Sequence, residues 1–421
     1  MNLNHQSITA YLVGTFLSKN GKESIDEHLE ELSRLAETLA ITTKGTRIIK
    51  LESINPSTFI GKGNIDFIRQ ELSNNNIDYV LFDDDLTPTQ GKNLEKIFER
   101  RVIDRSEIIL EIFREHARSR VAKTQVEIAR LEFLLPRLKR LWTHLERQRG
   151  GIAALRGGVG EKQIEIDRRI VKDKISLLKK ELQSIDAGRQ IQRQKRLALH
   201  KVAIVGYTNS GKSTLLKALT GADTLIEDKL FATLDSKARV LVYPNKPKII
   251  ITDTVGFIRK LPHQLIAAFK STLDEVVTAD VIIEVIDVSN PAYEEHMQVT
   301  SEVLKELHAH EKPLIYAFNK IDALDNSLLL HSLNRSYPHS IAIAAAKNIG
   351  ISELKNLIYE TLDRNLIYHE MCIPYNKFNL VSFIKTNAHV LSEKYEERGI
   401  EIKLKGTLEI INRLKAQEES R

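Results

Sequence analysis

Apolar positions along residues 1–105 fall into two alternating rhythms. The short runs "AYLVGTFL", "TRIIKLESI", "IDYVLF" and "RVIDR" are rich in β-branched and aromatic residues and read as strands. Between them Ile25, Leu29, Leu32, Leu35 and Leu39 recur at spacings of three and four, one face of a helix. "GNIDFIRQELSNN" and "PTQGKNLEKIFE" read as two further helices. Alternation of this kind predicts a small parallel α/β domain.

From about Glu107 the pattern turns long and helical. Ile128, Leu131, Leu135, Leu138, Trp142 and Leu145 form one apolar seam, and Val171, Ile175, Leu178, Leu182 and Ile185 form a second. Two heptad-like arms around a glycine-rich break predict an antiparallel helical hairpin. Pro136 should interrupt the first arm, because it removes a backbone donor. The tip carries Gly150, Gly151, Gly157, Gly158 and Gly160. After the basic connector "GRQIQRQKRLALH" a second strand–helix alternation runs from Lys201 to about Asp363. Beyond it lie "FNLVSFIK", a helix near "AHVLSEKYEERG", the strand-like "IEIKLKG" and a final helix, a small α+β appendage. The expected division is residues 1–105, 106–186, 187–200 as linker, 201–366 and 367–421. The fold class is multidomain α/β: parallel α/β domain, helical hairpin, nucleotide-binding domain with a mixed sheet flanked by helices, and C-terminal α+β domain.

Composition narrows this only a little. A chain of 421 residues, 42% hydrophobic and 28% charged, has ample material for buried cores. A net charge of +6 suits an acidic partner. The single cysteine, Cys372, has no internal disulfide partner, which fits a reducing compartment. The N-terminus lacks a signal-peptide pattern and no apolar run spans a bilayer, so a cytoplasmic address is expected, with peripheral membrane association as the alternative.

The chemistry starts at "KVAIVGYTNSGKSTLLKAL", a strand, a turn and a helix. Gly206, Gly211, Lys212 and Ser213 make G-x-x-x-x-G-K-S, so the turn from Gly206 through Tyr207, Thr208, Asn209 and Ser210 is expected to wrap phosphates with its backbone N–H groups. Lys212 would reach the β- and γ-phosphates and Ser213 would bind Mg²⁺. Asp253 ends the run "KIIIT", where it would orient Mg²⁺ through water, and Thr254, Val255 and Gly256 follow, with the Gly256 N–H aimed at the γ-phosphate. In "DKLFATLD", Phe231, Ala232, Thr233, Leu234 and Asp235 would border the nucleotide, Thr233 as a second Mg²⁺ ligand. "NKID" selects the base: the Asp322 carboxylate accepts from guanine's ring N–H and exocyclic amine, and adenine would leave it unpaired. Asn319 and Lys320 would brace that loop and cover the base, with Ile321 among the nucleotide-binding residues. Ala344, Ala345 and Ala346 stand where a serine–alanine pair is usual, and a backbone N–H there still reaches the guanine O6. Lys212 and Gly256 are the candidate catalytic groups. The position after Gly256, where many such switches carry a water-holding glutamine, is Phe257, which has no hydrogen-bonding group. Slow intrinsic hydrolysis follows. Arg259, close by, reads as a solvated arginine rather than a catalytic finger.

This ordered set resembles a GTPase of the translation-factor-like class, and "DTVGFIRKLP" and "LFATLD" resemble the HflX family of ribosome-associated GTPases. "FIGKGNIDFI", "RVIDRSEIILEIF", "LWTHLERQRGGI" and "EIDRR" extend the resemblance over nearly the whole chain. The resemblance implies binding to the large ribosomal subunit and its rRNA, with the hairpin tip approaching the peptidyl-transferase region and the GTP-bound protein, acting as a monomer, dissociating stalled or idle 70S ribosomes. The basic hairpin residues Arg137, Lys139, Arg140, Trp142, Arg147, Arg149 and Arg156 are the expected RNA contacts. It also implies ATP binding or hydrolysis by the N-terminal region, although "FIGKGN" lacks a Walker lysine–serine pair. A large-subunit assembly GTPase and an RNA-binding protein with GTP as a structural ligand remain the alternatives.

Overall fold

A computed structural model describes residues 8–17, 23–138, 159–194, 200–221, 230–231, 237–244, 248–262, 265, 270–324, 327–364, 366–396, 398–406 and 408–419. The chain divides into two compact units. One comprises Met1–Ile185, Glu227–Asp235 and Ile258–Ser271, the other Asp186–Ile226, Ser236–Phe257 and Thr272–Arg421.

The first unit is built on an all-parallel sheet of β1 (Thr9–Leu17), β2 (Thr42–Leu51), β3 (Tyr79–Phe82) and β4 (Arg101–Asp104), in the order β2-β1-β3-β4. The four strands are those the apolar runs predict. Helix Glu23–Thr38 buries Ile25, Leu29, Leu32 and Leu35, so its three-four spacing is the spacing of its inward face. Helix Pro88–Phe98 starts on a reciprocal capping box between Thr87 and Gln90, with proline in its first turn. Helix Arg105–His116 starts on Asp104, whose carboxylate accepts from the Glu107 N–H.

Helices Arg120–Leu134 and Val159–Gln194 form the two expected arms. Ile128, Leu131 and Ile175 meet between them, flanked by Val171, Leu178 and Leu182. Lys174–Glu127 at 2.6 Å, Lys179–Glu132 at 2.7 Å and Arg120–Glu181 at 2.6 Å tie the arms from outside. The first arm gives way to a 3₁₀ turn at Leu135–Arg137, the interruption that Pro136 requires. The second arm runs on to Gln194, into the stretch expected as linker. Arginine and glutamine there are good helix formers, and basic character alone does not stop a helix.

The second unit holds a six-stranded mixed sheet. β5 (His200–Val205), β7 (Ile249–Asp253), β8 (Val281–Asp287), β9 (Leu314–Asn319) and β10 (Ser340–Ala342) are parallel, and β6 (Lys237–Leu241) pairs antiparallel with β7, in the order β10-β9-β8-β5-β7-β6. Its core is aliphatic, with Val202, Ile204, Ile251, Ile283, Val285 and Ile315 packed on helices Lys212–Thr220 and Ile351–Arg364.

A separate core of Met371, Ile373, Val381, Ile384, Ile400, Ile402, Leu404, Ile411 and Leu414 organises the C-terminal segment. There β11 (Ile367–Ile373), β12 (His389–Glu396) and β13 (Gly399–Gly406) make an antiparallel sheet in the order β11-β13-β12, with helices Phe378–Asn387 and Leu408–Glu419. The helix expected near "AHVLSEKYEERG" is therefore strand β12, and "FNLVSFIK" is the helix. Leucine, glutamate and lysine favour a helix locally, but the free backbone edge of β13 pairs with this segment residue by residue and decides its state.

Candidate functional site

Parallel strands deliver their carboxyl ends to one edge of a sheet, and the candidate residues gather there. In register, Ile204 pairs with Asp253 and Asp287 with Asn319, so the phosphate loop, Asp253, Asp287 and Asn319 lie at adjoining strand ends. The loop from Gly206 to Gly211 joins β5 to helix Lys212–Thr220.

Gly211 has φ +97°, and a Cβ there would lie 2.2 Å from Asn319 Nδ2, so only glycine permits this approach. Asn319 exploits the gap. Its Nδ2 donates to the Ser210 carbonyl at 2.8 Å, and its Oδ1 accepts from the Ala345 N–H at 3.0 Å. One side chain thereby joins the phosphate loop to the loop of Ala344, Ala345 and Ala346. Ala344 and Ala345 are buried and Ala346 is exposed.

Lys212 is buried, and its Nζ donates to the Tyr207 carbonyl at 2.6 Å. Burial pulls its ammonium down to about 8, against the attraction of Asp253. Ser213 Oγ donates to Asp253 Oδ2 at 2.7 Å, and Asp253 is fully buried. Thr208 Oγ1 and Ser210 Oγ are buried side-chain atoms without a hydrogen-bond partner among the described residues. A hydroxyl so placed is costly unless a ligand satisfies it. Asn209, at φ +60°, points outward.

Gly256 closes against this loop: a Cβ there would come within 2.9 Å of both Lys212 Nζ and Thr208 Cγ2. Phe257 then bridges to the phosphate loop through its backbone. Its N–H donates to the Gly206 carbonyl at 3.1 Å, and its carbonyl accepts from the Thr208 N–H at 2.7 Å. The ring is buried, 1% exposed. Thr254 turns away from the loop, its hydroxyl donating to the Ile204 carbonyl at 2.7 Å, and Val255 is buried beside it.

Asp322 lies in the 3₁₀ turn Ile321–Ala323 and pairs with Lys347 at 3.1 Å, which holds its carboxyl below the usual range. Lys320, in a left-handed conformation, pairs with Asp287 at 2.7 Å. Sequence reasoning passed over Lys347 and Asp287, and also the stacking of Tyr207 on His296, with ring centroids 3.7 Å apart and 11° between planes. An acidic residue closing the apolar run of β8 was a usable signal for Asp287. Nothing local marks His296.

Other expected residues have partners of their own. The Phe231 ring packs on Phe113 of helix Arg105–His116, centroids 4.6 Å apart, at φ +58°. Arg259 is not solvated. It is 11% exposed on its side chain and bonded to Asp83, because the acidic end of β3 gives it a better partner than water. Arg137 spends its guanidinium on Asp104 at 2.9 Å and the Leu86 carbonyl at 3.0 Å while lying over the Phe133 ring, which makes it a tie at the hairpin base. Ala232, Thr233, Leu234 and Asp235, and Lys139, Arg140, Trp142, Arg147, Arg149 and Arg156, lie outside the described residues.

Comparison with known proteins agrees along the chain. Residues 26–114 match the family model "GTP-binding GTPase N-terminal", residues 116–196 "GTP-binding GTPase Middle Region" and residues 201–320 "50S ribosome-binding GTPase". The GTPase HflX of Caldanaerobacter subterraneus subsp. tengcongensis is 43% identical over 392 residues, 93% of this chain and 90% of that protein. The GTPase HflX of Flavobacterium psychrophilum is 41% identical over 388 residues, 87% of this chain and 92% of that protein. A solved structure, a GTP-binding protein from Sulfolobus solfataricus in complex with GDP, is 28% identical, covering 85% of this chain and 99% of that one, with a TM-score of 0.43. On these sequence matches, the chain belongs to the HflX family of GTPases.

Proposed function

We propose that this protein hydrolyses GTP, slowly by itself and faster on the large ribosomal subunit, and that its GTP-bound form dissociates stalled or idle 70S ribosomes. The observation that carries the nucleotide reading is Asn319, which fastens the phosphate loop to the loop beneath the base and so sets their spacing for a single purine nucleotide. Asp322, held ionised by Lys347, reads guanine's two donors. The unsatisfied hydroxyls of Thr208 and Ser210 and the Lys212 ammonium turn from protein to phosphate.

Ser213 and Asp253 fit Mg²⁺: a hydroxyl and a buried carboxylate 2.7 Å apart are an all-oxygen donor set. When bound there, the ion offsets charge on the β- and γ-phosphates. Thr233 is proposed to complete that set. Lys212 supports the leaving charge, and the Gly256 N–H orients the γ-phosphate. At the position after Gly256 the buried Phe257 ring offers no group to hold a water, and we assign this step to the ribosome. Support for that partner comes from the family model described as a 50S ribosome-binding GTPase over residues 201–320, and from the basic residues between Arg137 and Arg156.

The test is GTP turnover with and without isolated large subunits, paired with sedimentation of 70S particles in a non-hydrolysable GTP analogue. We expect stimulation on the order of 10²-fold and loss of the 70S peak. Equal turnover with and without subunits overturns the partner. An intact 70S peak, with immature large subunits accumulating when the protein is absent, favours an assembly role instead.

A further inference from the structure

In open α/β sheets, ligands settle beyond the carboxyl ends of the strands, where the strand order reverses. In the N-terminal sheet that reversal falls between β1 and β3. Its rim is acidic. Asp83 and Asp84 follow β3 directly, and Thr15 of β1 donates to Asp84 Oδ2 at 2.6 Å.

Two cations of the segment Ile258–Pro262 fill this position. Arg259 meets Asp83 at 3.0 Å, and Lys260 meets Asp83 at 3.1 Å and also bonds Asp84. Beneath them Arg105, with no exposed side-chain surface, joins Asp83 at 2.8 Å and Glu31 at 3.0 Å, and its Nε donates to the Arg259 carbonyl at 3.1 Å. Glu31, Asp83 and Asp84 thus balance Arg105, Arg259 and Lys260. A charge as buried as Asp83 is tolerated only with such partners. Phe231 on Phe113 is a second anchor in the same unit, taken from the other stretch expected to border the nucleotide.

We propose that the N-terminal sheet is a binding module whose ligand is this chain's own Arg259–Lys260 pair, a guanidinium–ammonium site rather than a phosphate site. Three carboxylates at the reversal point repel a nucleoside triphosphate and attract a cation pair. Arg259 follows Gly256 by three residues, so seating the pair restrains the segment that orients the γ-phosphate. Occupancy of the module and the nucleotide state are therefore linked, and the linkage runs both ways. The proposal rests on the guanine-nucleotide reading for its consequence, but not for its geometry.

The experiment is amide hydrogen exchange on the full-length protein, read on peptides covering residues 258–262. The variants are R259M/K260M and, separately, Asp84→Asn on the half-exposed rim, each checked for thermal unfolding and for binding of a fluorescent GTP analogue. We expect exchange to accelerate by about tenfold or more in both variants while GTP is still bound, and no change in the unmodified protein on adding millimolar ATP. Unchanged exchange in variants that fold and bind GTP overturns the inference alone. So does release of residues 258–262 by ATP, which would make the rim a nucleotide site. Failure of the unmodified protein to prefer GTP overturns the functional reading and leaves the latch standing.

Discussion

Glu284 sits within β8 with its side chain sealed from solvent, and burial pushes its carboxyl up to about 8 while a hydrogen bond with Thr300 pulls the other way. Its native value lies above the ordinary 4.5, so the folded state holds this proton over the interval between. Stability from Glu284 is then complete below about pH 4.5 and declines as pH rises through about 8. Glu284→Gln should flatten that decline and stabilise the protein at pH 9 by an amount on the order of a few kcal/mol, measured by urea unfolding across pH. An unaltered profile would contradict the burial argument. At the base loop, Asp322→Asn exchanges an acceptor-only group for one that also donates, and the GTP-over-ATP preference should fall by about 10²-fold or more, read by competition binding. Phe257→Gln installs an amide in the sequence position of a water-holding glutamine, yet both bridges at this residue are backbone bonds and its side-chain site is 1% exposed. It should destabilise by roughly 1–3 kcal/mol and leave single-turnover hydrolysis unaccelerated.

At the level of elements, the legible parts were those whose causes are local. β1, β3, β5 and β7 announce themselves as apolar runs, and the phosphate loop needs only its own eight residues to be recognised. β12 did not, because an edge strand with exposed Leu391 and Tyr395 lacks a clean alternation and owes its state to pairing with β13. Asn319 was legible as a brace from its motif. Arg259 was not legible as a latch, because Asp83 lies 176 residues away and no pattern links them. The hairpin offers a packing test: Ile175→Ala removes a buried residue of the small seam with Ile128 and Leu131 and should destabilise by about 2–4 kcal/mol, seen as faster exchange in Arg120–Leu134. Alanine at Arg147, Arg149 and Arg156 together should weaken ribosome binding and lessen its salt dependence. An unaltered slope in a salt titration would take the tip out of the interface.

For the molecule as a whole, the Arg259–Lys260 pair has a consequence in mass action. A ligand carried on the same chain faces its site at an effective concentration of roughly millimolar order. A free polyamine or arginine-rich peptide of micromolar affinity would therefore be outcompeted at the Asp83 rim by a rival that never diffuses away. Only a partner gripping the protein at several points at once can tip that balance, and an assembly the size of a ribosomal subunit has the footprint to do so, whereas a metabolite does not.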